Sequence, residues 1–255
     1  MFDVPLDHPG LAPLFDPLMP NHPVLLAMLR GDNPGRAFVD QRSNPTHGIV
    51  RSQDGWAFFS QHATQAFLEQ GLDHLRTLGH VIVIWPSSPT AATPPDAAHT
   101  IQRLEFSAGA AIVGADPSAP PPIPAGLSMR AMDRELVARC AWGPPIELAC
   151  GSADGFLAHG FGLCLLRDDA IIAEAYAPFR GIDTIELGVV TRDDQRGHGY
   201  AALLCAHLLP LCRQRGLAPY WSCDADNIAS IKLARRLGFG TERPYTARVY
   251  RSTQA

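Results

Sequence analysis

Lysine is almost missing from this 255-residue chain: of its 21 basic residues only Lys232 is a lysine, a skew that reads as coding composition rather than function. Acidic residues outnumber basic ones, 25 to 21, for a net charge of -4, and no run of like charges occurs. That argues against the basic patch by which a protein grips nucleic-acid phosphates, and against the charged tail that such runs mark. Uninterrupted apolar runs are short as well. None approaches the roughly 20 residues that a membrane-crossing helix needs, so no membrane partner is expected. The opening MFDVPLDHPGLAPLFDP lacks both a basic start and a continuous apolar stretch. No signal peptide is therefore expected, and the expected compartment is the cytoplasm. Cysteine is absent before Cys140, and the six that follow (Cys140, Cys150, Cys164, Cys205, Cys212, Cys223) have no C-x-x-C spacing. Buried, reduced thiols are expected, and neither a metal site nor disulfides.

What is present suffices for a core: 46% of residues are apolar and 18% charged, the balance of a globular protein. The length leans towards two domains. Five prolines between Pro117 and Pro124 mark the boundary. Proline fixes φ and removes a donor, so residues 116–128 read as a stiff linker between domains at 1–115 and 129–255. A second Pro/Ala/Ser stretch, 86–98, reads as a long surface loop. In the first domain, residues 23–31 and 62–79 read as helices and 35–41, 47–61 and 81–86 as strands, with a hairpin turn at Asp54-Gly55. Its scattered histidines read as surface or satisfied polar groups, and no catalytic motif stands out. In the second domain, 152–160 reads as a short helix and Asp168-Asp169 as the turn of a hairpin. Then follow a strand at 184–190, a helix at 200–216, a strand at 218–226 and a helix at 227–239. Ile228, Ile231, Ala234 and Leu237 are the expected apolar stripe of that last helix, with Lys232, Arg235 and Arg236 facing elsewhere. Pro210 lies inside the helix before it, where proline costs about 3 kcal/mol, so a kink or break near Leu209 is expected. A strand meander followed by strand–loop–helix–strand–helix is an α/β pattern, and the two halves show no sequence repeat.

The loop TRDDQRGHGYAALL, residues 191–204, joins strand to helix. The first turn of a helix has unpaired N–H groups and a partial positive charge, which suits an anion. Glycines let ligand oxygens approach backbone that a Cβ would cover. Gly197 and Gly199 stand at that junction with Arg196 beside them. GHGYAA matches the dinucleotide fingerprint G-x-G-x-x-A, and Asp224 lies near the place of a ribose carboxylate. Yet six residues, Thr191 to Arg196, separate the strand from Gly197, and only 58 residues follow it. That is too few for the two-halved nucleotide fold.

Arg196-Gly197-His198-Gly199-Tyr200-Ala201, with Asn227, Ser230, Leu233, Gly238 and Phe239 downstream, resembles the GNAT superfamily of acyl-CoA N-acyltransferases. Those residues fit its R/Q-x-x-G-x-G/A and N-x-x-A/S…L-x-x-x-x-G-F patterns. Residues 186–204 and 218–239, together with 31–50, are similar to the subgroup that includes zwittermicin-resistance acetyltransferases. The resemblance touches most of the chain and is specific from about Phe156 to Phe239. It implies an α/β (α+β) fold: a C-terminal GNAT domain with a mixed central sheet, beside a smaller N-terminal α/β domain that is itself GNAT-like. It implies acetyl-CoA as cofactor and a small-molecule amine as acceptor, an antibiotic or toxic metabolite among the candidates.

The resemblance also implies roles. Backbone groups of Val190 and Thr191 would meet the pantetheine arm and the acetyl carbonyl. Amides of Gly197, Gly199, Tyr200 and Ala201 would cradle the pyrophosphate behind Arg196, and Asn227 and Ser230 would lie near the pantetheine. Glu186 stands where many such enzymes keep the base that takes the amine's proton. The tyrosine that often serves as acid is replaced by Ala234, which leaves Cys223, Ser222 or Tyr220 as substitutes, or no dedicated acid. Trp142, Phe161, Tyr176 and Phe179 are aromatic candidates for a pocket wall. Two readings of different class follow: an N-acetyltransferase, or a non-catalytic acyl-CoA-binding module that has lost its chemistry.

Overall fold

In the computed structural model, which describes residues 1–17, 19–85, 95–109, 112 and 120–254, the chain divides into two compact units. The first comprises Met1–Arg103 with Pro244–Ala255, the second Leu104–Arg243. The division departs from a linear one: residues 244–255 join the first unit, where Ala247–Tyr250 pair antiparallel with Ile84–Val81. Residues 86–94 of the expected surface loop and 116–119 of the Pro-rich stretch lie outside the described residues. The rest of that stretch, 120–127, contains no helix or strand.

The first unit is a meander of β1 (Phe2–Val4), β2 (Gly35–Val39), β3 (Gly48–Ser52) and β4 (Trp56–Phe59), each antiparallel to the one before. Helix α1 (His22–Leu29) precedes β2. Helix α2 (Gln65–Thr77) then carries the chain over to β5 (Val81–Ile84), which lies parallel to β4. Phe67, Leu68, Leu72 and Leu75 of α2 pack on Phe38, Ile49 and Phe59 of the sheet. At Gly71 any Cβ would stand 2.4 Å from Ile49 Cδ1, so the small residue sets how closely helix and sheet approach.

The second unit repeats that succession on a larger scale, although the two halves share no visible sequence repeat. β7 (Ser128–Ala131), β8 (Phe161–Arg167), β9 (Ala170–Arg180) and β10 (Thr184–Thr191) form the meander. Its β8–β9 turn is the expected hairpin. Asp168 (φ 47°) and Asp169 (φ 66°) both hold the left-handed conformation that a tight two-residue turn needs and that aspartate tolerates. Between β7 and β8 lie α3 (Arg134–Arg139), α4 (Gly143–Cys150) and α5 (Ala153–His159). After β10, α6 (Tyr200–Gln214) crosses to β11 (Ala218–Asp224), parallel to β10, and α7 (Ile228–Leu237) follows. Helices α3–α5 cover one sheet face with Leu136, Val137, Ile146 and Phe156, and α6 and α7 cover the other with Leu204, Leu208, Ile231 and Ala234. β6 (His99–Phe106) and β12 (Glu242–Tyr250), neither of them anticipated, complete a mixed α/β fold.

Two helix expectations need correction. Helix α6 runs through Pro210 without a break. The lost backbone bond is outweighed by Leu204, Leu208, Leu209 and Cys212, which anchor the helix in the core on both sides of the proline. On α7, Ile231 and Ala234 are buried but Ile228 is 55% exposed. A spacing of three falls 60° behind the helical turn at each step, so a stripe of four cannot stay on one face. All six cysteines are buried thiols, and Sγ of Cys140 lies 3.5 Å from Sγ of Cys164. Among the described residues, no helix is long and apolar enough to cross a membrane.

Candidate functional site

Strands β10 and β11 pair in register from Thr184↔Ala218 to Leu187↔Trp221, and there the pairing stops, although β10 continues to Thr191 and β11 to Asp224. On its other side β10 stays paired with β9 to its end, through Val190↔Glu174 and Thr191↔Ala173, with an irregularity between Glu186 and Gly188. The parted strands leave N–H and C=O groups of residues 188–191 on the β11 side without a strand partner.

Tyr176 of β9 lies across Gly188. A Cβ there would stand 2.4 Å from Tyr176 Cε2, and the ring is itself stacked on Trp142 at 5.9 Å between centroids. A Gly188→Ala chain should therefore lose about 1–3 kcal/mol of stability, the usual cost of overpacking. The loss would be read as a lower denaturation midpoint. An unchanged midpoint would show that Tyr176 moves freely.

Helix α6 begins at Gly199 (φ 80°) with no side chain capping its first turn, two residues after Gly197 (φ 83°). The corresponding crossover helix of the first unit, α2, is capped: Thr64 accepts a hydrogen bond from the Phe67 amide at 3.3 Å. The same topological position is thus capped by a side chain in one unit and not in the other. Nothing lies within 4 Å of where a Cβ would stand at Gly197 or Gly199. Their glycines answer the left-handed backbone rather than crowding. The nearby carboxylates are ion-paired: Asp194 is bidentate with Arg192 (2.6 and 2.9 Å), and Asp193 pairs with Arg196 at 2.7 Å. The hydrogen bond from Arg192 holds the Asp194 carboxyl below its usual range. His198 is exposed and stacks on Tyr200, whose hydroxyl accepts from Arg167 at 2.8 Å.

One cavity of about 590 Å³ runs from this helix start to the parted strands and reaches Trp142. Its wall brings together Val190, Thr191, Arg196, Gly197, Gly199, Tyr200 and Ala201 with Asn227 and Ser230 of the second motif. The last two also have structural duties. Asn227 Oδ1 caps α7 by accepting from the Ser230 amide at 3.1 Å, and Ser230 Oγ accepts from the Trp221 indole at 3.0 Å. Lys232 and Arg236 of α7 line the cavity too.

The two residues expected to move protons are not on that wall. Glu186 is half-buried on the sheet face opposite α6, since its neighbours Ile185 and Leu187 point into the α6 core. It stands one pairing step before the strands part, beside Phe179 and Tyr220. Cys223 is buried in the apolar core with Trp221, Ile231 and Ala234. Of the aromatic candidates, Trp142 lines the cavity, Tyr176 stacks behind it, and Phe161 is buried in the α6 core.

A residue with no motif positions Trp142. Glu174, 2% exposed, accepts hydrogen bonds from the Ala141 amide at 3.0 Å and the Trp142 amide at 2.8 Å, which fixes the loop leading into α4. A lone carboxylate in the apolar strand AIIAEAY is the signal that could have found it. A second cavity, about 630 Å³, shares Val190 and Thr191. Its charged groups are engaged with protein: Arg192 with Asp194, Arg139 with Glu135 and Asp169, Glu174 with the two amides.

The family described as GNAT acetyltransferase matches residues 13–248. The chain belongs to that family. It is 29% identical over 126 residues to the uncharacterized N-acetyltransferase YdfB of Bacillus subtilis, a match covering 49% of this chain and 48% of that one. It is 36% identical over 105 residues to an L-methionine sulfoximine/L-methionine sulfone acetyltransferase of Pseudomonas paraeruginosa, covering 37% of this chain and 61% of the relative. The matched part thus spans about half the length of the first relative and 61% of the second. The crystal structure of a GCN5-related N-acetyltransferase-like protein from Streptococcus suis shares the fold, with a TM-score of 0.69, 22% identity and coverage of 94% of this chain and 96% of that one.

Proposed function

We propose that the second unit transfers an acetyl group from acetyl-CoA to a primary amine of a small molecule. The observation that carries this reading is the single cavity joining an uncapped, glycine-opened helix start to strand edges that have lost their partner. Acetyl-CoA, when bound, supplies an activated acyl group as a thioester. This chain's part is to hold and orient. Amides of Gly197, Gly199, Tyr200 and Ala201 would hold the pyrophosphate, with Arg196 beside them. Unpaired backbone of β10 at Val190 and Thr191 would align the arm and offer an N–H to the carbonyl oxygen. Glu186 would take the amine's proton. Cys223, enclosed in the core, is given no part in proton transfer, and Ala234 is buried where a tyrosine often stands. A thiol with an ordinary pKa of about 8.5 is a fair leaving group without a dedicated acid.

An amino-acid-like amine is the acceptor class to test first, given the name of the Pseudomonas relative. The similarity to zwittermicin-resistance proteins makes antibiotic amines the second. Thermal denaturation with acetyl-CoA and with NADH tests the cofactor, because a ligand of the native state raises the midpoint. Acetyl-CoA should raise it and NADH should not; a rise with NADH alone overturns the proposal. CoA release across a panel of such amines tests the chemistry. Binding of acetyl-CoA with no turnover of any amine would instead mark a non-catalytic acyl-CoA-binding module.

A further inference from the structure

Among the described residues that line the glycine-loop cavity, Trp142 is the only one contributed from helices α3–α5 and their connections; the others belong to β10, the loop, α6 and α7 with its cap. Gly188 pairs with Tyr176 and Val190 with Glu174, so these four side-chain positions share the sheet face that α3–α5 cover. Trp142 therefore marks where the cavity passes the free edge of β10 and reaches the face that carries Glu186. The indole is 45% exposed, yet its support is rigid. Glu174 accepts from the Ala141 and Trp142 amides, the Gly143 amide donates to the Cys140 carbonyl at 3.0 Å, and Pro144 and Pro145 fix the chain that follows. Beneath the ring lies Tyr176, only 7% exposed and stacked at 5.9 Å with 30° between the planes. The second cavity starts one residue earlier, at Ala141, and shares Val190 and Thr191 with the first, so Trp142 stands where the two adjoin.

We propose that Trp142 sets the length of the acyl group this protein accepts: its indole closes the cavity beyond the thioester, admitting acetyl and excluding medium-length chains such as hexanoyl. The inference rests on the acetyl-CoA reading of this cavity, in which the thioester lies against Val190 and Thr191. With the pyrophosphate at the start of α6, the arm runs towards the parted strands, and its acyl end meets the indole. An acyl chain that found open apolar surface would gain about threefold to fourfold in affinity for each added methylene. A ring that cannot retreat reverses the sign, because extra carbons must displace either the indole or the thioester. Trp142 is thus a specificity-determining residue with no part in proton transfer. Ala141 and Ile171 of the second cavity offer apolar room that a long chain reaches only when the indole is gone.

Calorimetric titration of the full chain with acetyl-CoA and with hexanoyl-CoA, in the absence of any amine, tests the proposal. The native protein should bind acetyl-CoA at least about tenfold more tightly than hexanoyl-CoA, as expected where added carbons overpack a fixed wall. A Trp142→Ala chain should reverse the order, with hexanoyl-CoA at least about tenfold the tighter ligand. Trp142→Phe, which keeps a smaller ring on Tyr176, should still bind acetyl-CoA and should narrow the preference; it carries the test if the alanine chain does not fold. Leu148→Ala, at a 50% exposed position of α4 that does not line the cavity, should leave the preference as it is. Equal or tighter binding of hexanoyl-CoA by the native protein overturns the acyl limit and leaves the proposed function standing. A preference unchanged in the Trp142 variants, or lost in Leu148→Ala, would overturn it as well. If the native protein binds neither ligand, the cofactor reading and the acyl limit fall together.

Discussion

Replacing Glu186 by Gln should slow acetyl transfer about 10²- to 10⁴-fold, the usual contribution of a positioned general base, while leaving acetyl-CoA affinity intact. Glutamine keeps the shape and the hydrogen-bonding reach of the side chain but cannot accept the proton of an ammonium. Other groups on that face are poorly suited to replace it. Tyr220, its cross-strand neighbour, donates its hydroxyl proton to Glu105, a carboxylate only 4% exposed that is also held by Arg243. Burial first, and then the charges of Glu174 and Glu186, push the Tyr176 phenol well above its ordinary range, so it stays protonated at neutral pH. Glu174 is committed to two backbone amides. A kcat within twofold of the native value would remove Glu186 from the mechanism.

A Gly199→Val chain should bind acetyl-CoA at least about tenfold more weakly, because a left-handed backbone costs an L-residue roughly 1–2 kcal/mol and a β-branched one more. At φ 80° the valine must either hold that strain or rotate the start of α6 away from its present direction. Rotation moves the amides of Tyr200 and Ala201, which is why binding should suffer more than kcat. Space is not the cause, since no atom lies within 4 Å of the added Cβ. Thr64→Ala, at the corresponding junction of the first unit, should cost about 1 kcal/mol of stability as a lost cap without altering acetyl-CoA affinity. Equal affinity in the Gly199→Val and native chains would mean that the loop does not carry the cofactor.

Much of the glycine loop was legible because its conformation is local. Gly197 and Gly199 hold positive φ, Asn227 caps the helix that begins beside it, and Asp168-Asp169 makes a turn from two left-handed residues. The features that convert a loop into a cavity were not legible. That β10 loses β11 after Leu187 depends on pairing between residues 34 apart in the chain, and no residue at Gly188 or Val189 announces it. Gly188 looks like any strand glycine until Tyr176 lies across it. Lys232 and Arg236 were expected to face away from the apolar stripe of α7, and they do, but only packing turns that direction into the wall of a cavity. Pro210 was read from its local cost, which the surrounding core outweighs.

By itself, then, the sequence determined which helix would start at left-handed glycines without a side-chain cap and which strand would lead into it, since backbone conformation and capping are settled within a few residues. Tertiary structure decided where β10 and β11 part, which carboxylates are buried and engaged, and that Trp142, Lys232 and Arg236 share one cavity with the loop. These depend on strand register and helix packing between distant segments. Their energies come from contacts that exist only once the chain has folded.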